Sequence, residues 1–129
     1  VIVGLNIDPE LELDNATLAR VMEDMLNMGA RLNAGYFLRN PDAPCCLDCG
    51  TITYFEPPMS ERVFFGLAPD VIRQQKTSCA GAAMYEAGHA IAKGKDARVV
   101  VQINGPGDFH ALVRYPDGSI TDPSADLPR

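Results

Sequence analysis

"TSCAGAAMYEAGHAIAKG", residues 77–94, reads as a single helix. Ala80, Ala83, Met84, Ala87 and Ile91 recur at i, i+3, i+4 spacing, the signature of one apolar face. Thr77 or Ser78 stands where an N-cap would accept a hydrogen bond from the first turn, and Gly94 stands where the helix should stop. The spacing predicts a helix over Cys79–Lys93. Its stripe is dominated by alanine, and small side chains let a helix approach a sheet closely. A central helix packed on strands is expected. Cys79 opens it. A thiol there faces unpaired N–H groups and the positive end of the helix dipole, which favour thiolate, and the same N–H groups can hold an oxyanion during acyl transfer.

The strands follow directly. "ARVVVQI" (97–103) is the most β-prone run in the chain, and "FHALVRY" (109–115) follows the turn "NGPGD". Asp117-Gly118 marks a tight hairpin into "SITDP" (119–123). The C-terminal third is therefore read as an antiparallel meander. A turn centred on Asp117 and Gly118 sets His110 opposite Ala125 and Asp122 opposite Val113. That register does not align His110 with Asp122; a different turn or a bulge would be needed to bring them together.

Upstream, "VIVGLNI" (1–7) reads as a strand. Leu18, Val21, Met22, Met25, Leu26 and Leu32 then recur at helical spacing, with Asp14 or Asn15 as cap and Gly35 as stop. A helix from about Asn15 to Asn33 follows, with Gly29 weakening its last turn. "LRNPDAPCCLDCG" (38–50) is a loop, "TITYF" (51–55) and "RVFFGL" (62–67) read as short strands, and "APDVIRQQ" (68–75) as a short helix with Pro69 in its first turn. Helices followed by a run of strands give an α+β class. One domain is expected over 1–129, with an N-terminal part (1–73) carrying the cysteine-rich loop and a second part (74–129) carrying the Cys79 helix and the meander.

Composition narrows the function classes. The chain has 129 residues, 47% of them hydrophobic, and a formal net charge of −6. It holds no apolar run of membrane-spanning length and no block of Lys/Arg, so neither a membrane nor nucleic acid is the expected partner. Three of the four cysteines crowd into "APCCLDCG" rather than spreading as a disulfide framework does, which points to a cytoplasmic or otherwise reducing compartment. The chain opens at Val1, and "VIVGLNI" lacks a signal peptide's basic start and cleavage site. Numbering that starts inside a longer product, or removal of a leader, is expected.

Cysteine opening a central helix, then histidine on a strand, then aspartate on the next, resembles the transglutaminase-like branch of the papain-like cysteine hydrolases. "FHALVRYPDGSITDPSADLP" is similar to that family's segment, in which "HA" starts a strand, a turn glycine follows and "DP" ends the next strand. The resemblance covers roughly Gln74 to Pro128. It implies an α+β fold with the helix against an antiparallel sheet, a peptidase or amidase working through a thioester, and a peptide or protein substrate. On that match Cys79 is the nucleophile, His110 the general base and acid, and Asp122 the carboxylate that orients the imidazole. Gln74 and Gln75 stand where a glutamine upstream of the cysteine would serve the oxyanion.

Plainer readings stand beside these. Cys79 can be a small buried hydrophobe that starts a helix, His110 a structural strand residue, and Asp122 a turn residue bonding its own backbone in "DPSA". The family often sets an aromatic, commonly tryptophan, near its cysteine, and this chain has no tryptophan. The alternative is thus a non-catalytic papain-like module serving a structural or interaction role in a larger assembly. His89 lies about 15 Å along the helix axis from Cys79, too far to act as its base, and reads as a surface or sheet-packing residue. No organic cofactor is implied. Cys46 and Cys49 have the C-x-x-C spacing that grips zinc, with Cys45 as a third ligand, so a small zinc module is a third reading.

Overall fold

The computed structural model describes residues 13–44, 50–56, 66–105 and 108–129. The strand expected over 1–7, most of that expected over 62–67, and the loop holding Cys45, Cys46 and Cys49 lie outside the described residues. Described elements run in the order α1 (Asn15–Arg39), β1 (Thr53–Tyr54), α2 (Ala68–Gln74), β2 (Lys76–Thr77), α3 (Cys79–Ala92), β3 (Arg98–Gly105), β4 (Asp108–Arg114) and β5 (Ile120–Thr121), closing with a 3-10 turn over Pro123–Asp126. The class is α+β.

Helix α3 forms where its stripe and caps require. The Ser78 hydroxyl accepts from the Gly81 N–H at 3.3 Å, and Gly94 follows the helix with φ +87°, a conformation that favours glycine. The alanine face behaves as expected: Ala80, Ala83, Met84, Ala87 and Ala90 join Val99, Val101, Ala111 and Val113 in one core with Leu26 and Ala30 of α1. The helix is buried on a second side as well. There Ala82 and Tyr85 pack with Phe37, Ile52, Ala68, Val71 and Leu127. Small residues serve both sides, since α1 crosses closely at Gly88, where an added Cβ would stand 2.7 Å from the Ala30 carbonyl oxygen and 2.6 Å from the Asn33 Cβ.

Helix α1 starts at the expected cap, with the Thr17 N–H donating to Asp14 Oδ1 at 2.7 Å. It does not stop near Asn33. Gly35 is absent from the glycines with positive φ, and the helix runs on to Arg39, where Asn40 caps it. The extra turns are held by tertiary packing: Phe37 is buried edge-on to Tyr85 at 4.9 Å and to His89 at 5.1 Å. His89 therefore packs on α1, not on the sheet. Gly29 sits inside the helix because the Met84 thioether takes up the space a side chain would need.

The sheet has the order β3-β4-β5, all antiparallel. Its outer edge at β3 is closed by side chains of α1. Asn27 accepts from the Val99 N–H at 2.8 Å and donates to the Val99 carbonyl at 3.0 Å, and Glu23 accepts from the Val101 N–H at 2.9 Å. Asn27→Ala leaves the Val99 backbone groups unpaired beneath a helix, and a loss of about 1–3 kcal/mol in unfolding free energy is expected, read from the urea midpoint.

The β4–β5 register differs from expectation by one residue: Val113 faces Thr121, and Arg114 faces Ile120. Pro116 causes this. A two-residue loop at Asp117-Gly118 would place Pro116 in the ladder opposite Ser119, and proline has no N–H to contribute. Instead Pro116, Asp117 and Gly118 form a three-residue loop. The Tyr115 N–H donates to the Ser119 carbonyl and the Gly118 N–H to the Tyr115 carbonyl, both at 2.9 Å. Gly118 takes φ +87° at the position that needs it. One residue of register decides which face each following side chain occupies.

"TITYF" supplies only a two-residue strand, and it pairs in parallel with β2, Thr53 with Lys76 and Tyr54 with Thr77. The chain leading into Cys79 is thereby tied to Tyr54. Among the described residues no helix is long and apolar enough to cross a membrane.

Candidate active site

Cys79 is held at the first position of α3 by Ser78, whose side chain and carbonyl take the N–H groups of Gly81 and Ala82. The N–H groups of Ala80 and of Cys79 itself are left facing the sulfur, together with that of Ala111 on β4. The thiol thus reaches the backbone of the residue next to His110. Its acidity is not what the helix start alone implies. Burial pushes the Cys79 thiol up, and the Asp122 charge pushes the same way, against the opposing pull of the Ala111 and helix N–H groups. The resting sulfur is a half-buried thiol, not a standing thiolate.

His110 and Asp122 meet directly. Nε2 of His110 lies 2.7 Å from Oδ2 of Asp122, both side chains about a third exposed. The three-residue loop makes this contact available. It sets Asp122, the next position after Thr121, across from Leu112, so His110 becomes its diagonal neighbour on the same face of the sheet. The register expected from a two-residue turn would have turned Asp122 to the other face. An ionised carboxylate only accepts, so the shared proton sits on Nε2 and leaves the lone pair on Nδ1. Asp122 thus holds the ring by Nε2.

Asp122 follows β5 and stands at the N-cap of the 3-10 turn, but its side chain makes no capping hydrogen bond there. Its second oxygen, Oδ1, accepts from the Ser124 hydroxyl at 2.8 Å. Burial acts to raise the Asp122 pKa, yet hydrogen bonds from His110 and Ser124 outweigh it and hold the carboxyl below its usual range.

Gln74 and Gln75 are exposed at the end of α2. Gln75 turns its amide back to donate to the Ile72 carbonyl at 2.6 Å, while its own carbonyl accepts from the Thr53 N–H. Tyr54 also lies here, a residue that no sequence motif marks. Burial raises its pKa and the charge of Cys79 adds to the shift, so the phenol lies within electrostatic reach of the sulfur. The Arg129 guanidinium sits 4.3 Å above the Tyr54 ring, and the Tyr54 backbone N–H donates to the Pro128 carbonyl at 2.7 Å. The parallel β1–β2 pairing and the bond to Pro128 together place this aromatic near the cysteine.

Among the described residues no group of three or more His, Cys, Asp or Glu side chains is arranged to hold a metal ion. The Cys45, Cys46 and Cys49 loop lies outside them. No protein-family model matches the chain, and no curated protein or solved structure is measurably similar to it.

Proposed function

We propose that the protein is a cysteine hydrolase of the transglutaminase-like, papain-like type, cleaving an amide in a peptide or protein substrate by acyl transfer. The observation that carries this reading is the His110–Asp122 pair, formed on the strand whose Ala111 N–H reaches the Cys79 sulfur. A central helix on an antiparallel meander supports the same family. The Cys79 sulfur attacks the substrate carbonyl while its proton passes to Nδ1 of His110, which Asp122 holds in the required tautomer. The N–H groups of Cys79 and Ala80 receive the oxyanion. Collapse breaks the C–N bond, His110 returns the proton to the departing amine, and water then hydrolyses the thioester with His110 again as base. Because burial disfavours free thiolate, attack and proton transfer belong to one step.

Acylation by p-nitrophenyl acetate tests this. Acetyl transfer to sulfur releases nitrophenolate, and peptide mapping is expected to place the acetyl group on Cys79. His110→Ala is expected to slow that acylation by about 10²–10⁴-fold. In the absence of substrate, iodoacetamide alkylation of Cys79 should lag behind a free cysteine at pH 7 and climb only as pH passes above the ordinary thiol range, since a raised pKa means less thiolate at any given pH. The burial of Cys79 favours one other reading, a non-catalytic papain-like module. That reading expects Cys79 to resist acylation, or to react at a rate indifferent to His110, and either result sinks the hydrolase.

A further inference from the structure

The aspartate of the pair has two competing uses. It stands two residues before Ser124 and three before Ala125, where an Asp side chain ordinarily turns in to bond nearby backbone N–H groups. It also occupies the N-cap position of the 3-10 turn without making the capping bond. What holds it outward is visible on its other oxygen. Ser124 is 2% exposed, and its hydroxyl donates to Oδ1 at 2.8 Å while Oδ2 stays on His110.

We propose that Ser124 is a positioning residue for His110, keeping the Asp122 carboxylate turned onto the imidazole. This rests on the hydrolase reading for its catalytic consequence, but not for its structural one. With Ser124 in place one carboxylate oxygen is anchored to a buried hydroxyl and the other points at Nε2, so the ring keeps a single tautomer with Nδ1 free. Without the hydroxyl, Oδ1 loses its buried donor, since the Ala125 N–H is already engaged by the Asp122 carbonyl at 3.1 Å. The carboxylate is then free to turn about its Cβ–Cγ bond, which draws Oδ2 away from His110. The titratable groups that face Asp122 are His110 on β4 and Cys79 at the head of α3. The pair's contribution to stability is fully present above the ordinary carboxylate range and is lost as pH falls through the depressed Asp122 pKa; loss of the Ser124 bond moves that fall to higher pH.

The chain has two histidines, His89 and His110, so their ring nitrogens can be followed separately by NMR with His89 as internal reference. In the full chain, Ser124→Ala is expected to convert His110 from one Nε2–H tautomer to a mixture, to raise the pH at which Asp122 protonates, and to leave His89 unchanged. Ser124→Thr, which keeps the hydroxyl, is expected to restore the tautomer. Acylation of Cys79 should fall about tenfold in Ser124→Ala and recover in Ser124→Thr. An unchanged His110 tautomer and Asp122 titration in folded Ser124→Ala overturns the proposal, whatever the acylation rate. A shifted tautomer in a protein whose Cys79 is never acylated overturns the hydrolase reading and leaves the positioning role standing.

Discussion

Inserting one alanine between Ser119 and Ile120 is expected to abolish acyl transfer while leaving the helices and β3–β4 in place. The three-residue loop stays closed by Tyr115 and Ser119, but every residue after it advances by one position. Asp122 then stands across from Ala111 instead of Leu112, which puts its carboxylate on the face opposite His110. The expected loss in Cys79 acylation is about 10²–10⁴-fold, the range associated with losing a general base or its orienting partner. Inserting two alanines restores the face and places Asp122 directly across from His110, so part of the rate should return. That odd–even alternation separates a register effect from general damage to the hairpin. A single insertion with the wild-type acylation rate would show that Asp122 has no part in the chemistry.

Gly88→Ala is expected to be strongly destabilising. Alanine is the better helix former by about 1 kcal/mol, so on an exposed helix the change would be favourable. At Gly88 the new methyl meets the Ala30 carbonyl oxygen at 2.7 Å, the Asn33 Cβ at 2.6 Å and the Ala34 N at 3.1 Å. Two of those are backbone atoms of α1, which cannot rotate aside. Relief requires α1 and α3 to separate, disturbing Asn33, which is 1% exposed and accepts from the Ala68 N–H at 2.8 Å. A net loss of about 3 kcal/mol is expected, the upper end of ordinary overpacking, read as a lowered urea midpoint at unchanged slope. An unchanged or raised midpoint would mean the helices can part without cost.

Local signals carried much of this architecture. The start of α1, all of α3, the three strands of the meander and the presence of a Gly118 turn follow from caps, periodicity and turn chemistry read within a few residues. The end of α1 was not legible, because Phe37 holds the helix past Gly35 by contacting Tyr85 and His89, distant in the chain. Nor was the pairing of Thr53–Tyr54 with Lys76–Thr77, since a two-residue parallel ladder leaves no periodic trace. The order of Cys79, His110 and Asp122 was plain in the sequence, but the contact between the last two depended on Pro116 excluding itself from the ladder. The raised Cys79 thiol was hidden for a different reason: a helix start is a local feature, whereas burial is a sum over the whole core.

The clasp between α1 and β3 has one more consequence. Glu23 and Asn27 are four residues apart, about 6 Å of helix rise, and Val99 and Val101 are two residues apart, about 6.7 Å of strand. The two pitches nearly coincide over this one interval, so the helix is indexed against the strand like a key cut to a single notch. Sliding α1 by one residue rotates Glu23 and Asn27 about 100° away from the sheet, and sliding it a full turn offers Ala19 and Glu23 to the groups that now meet Glu23 and Asn27. Helix position along the sheet is therefore quantised, and the site at the far edge inherits that fixed origin through β3 and β4.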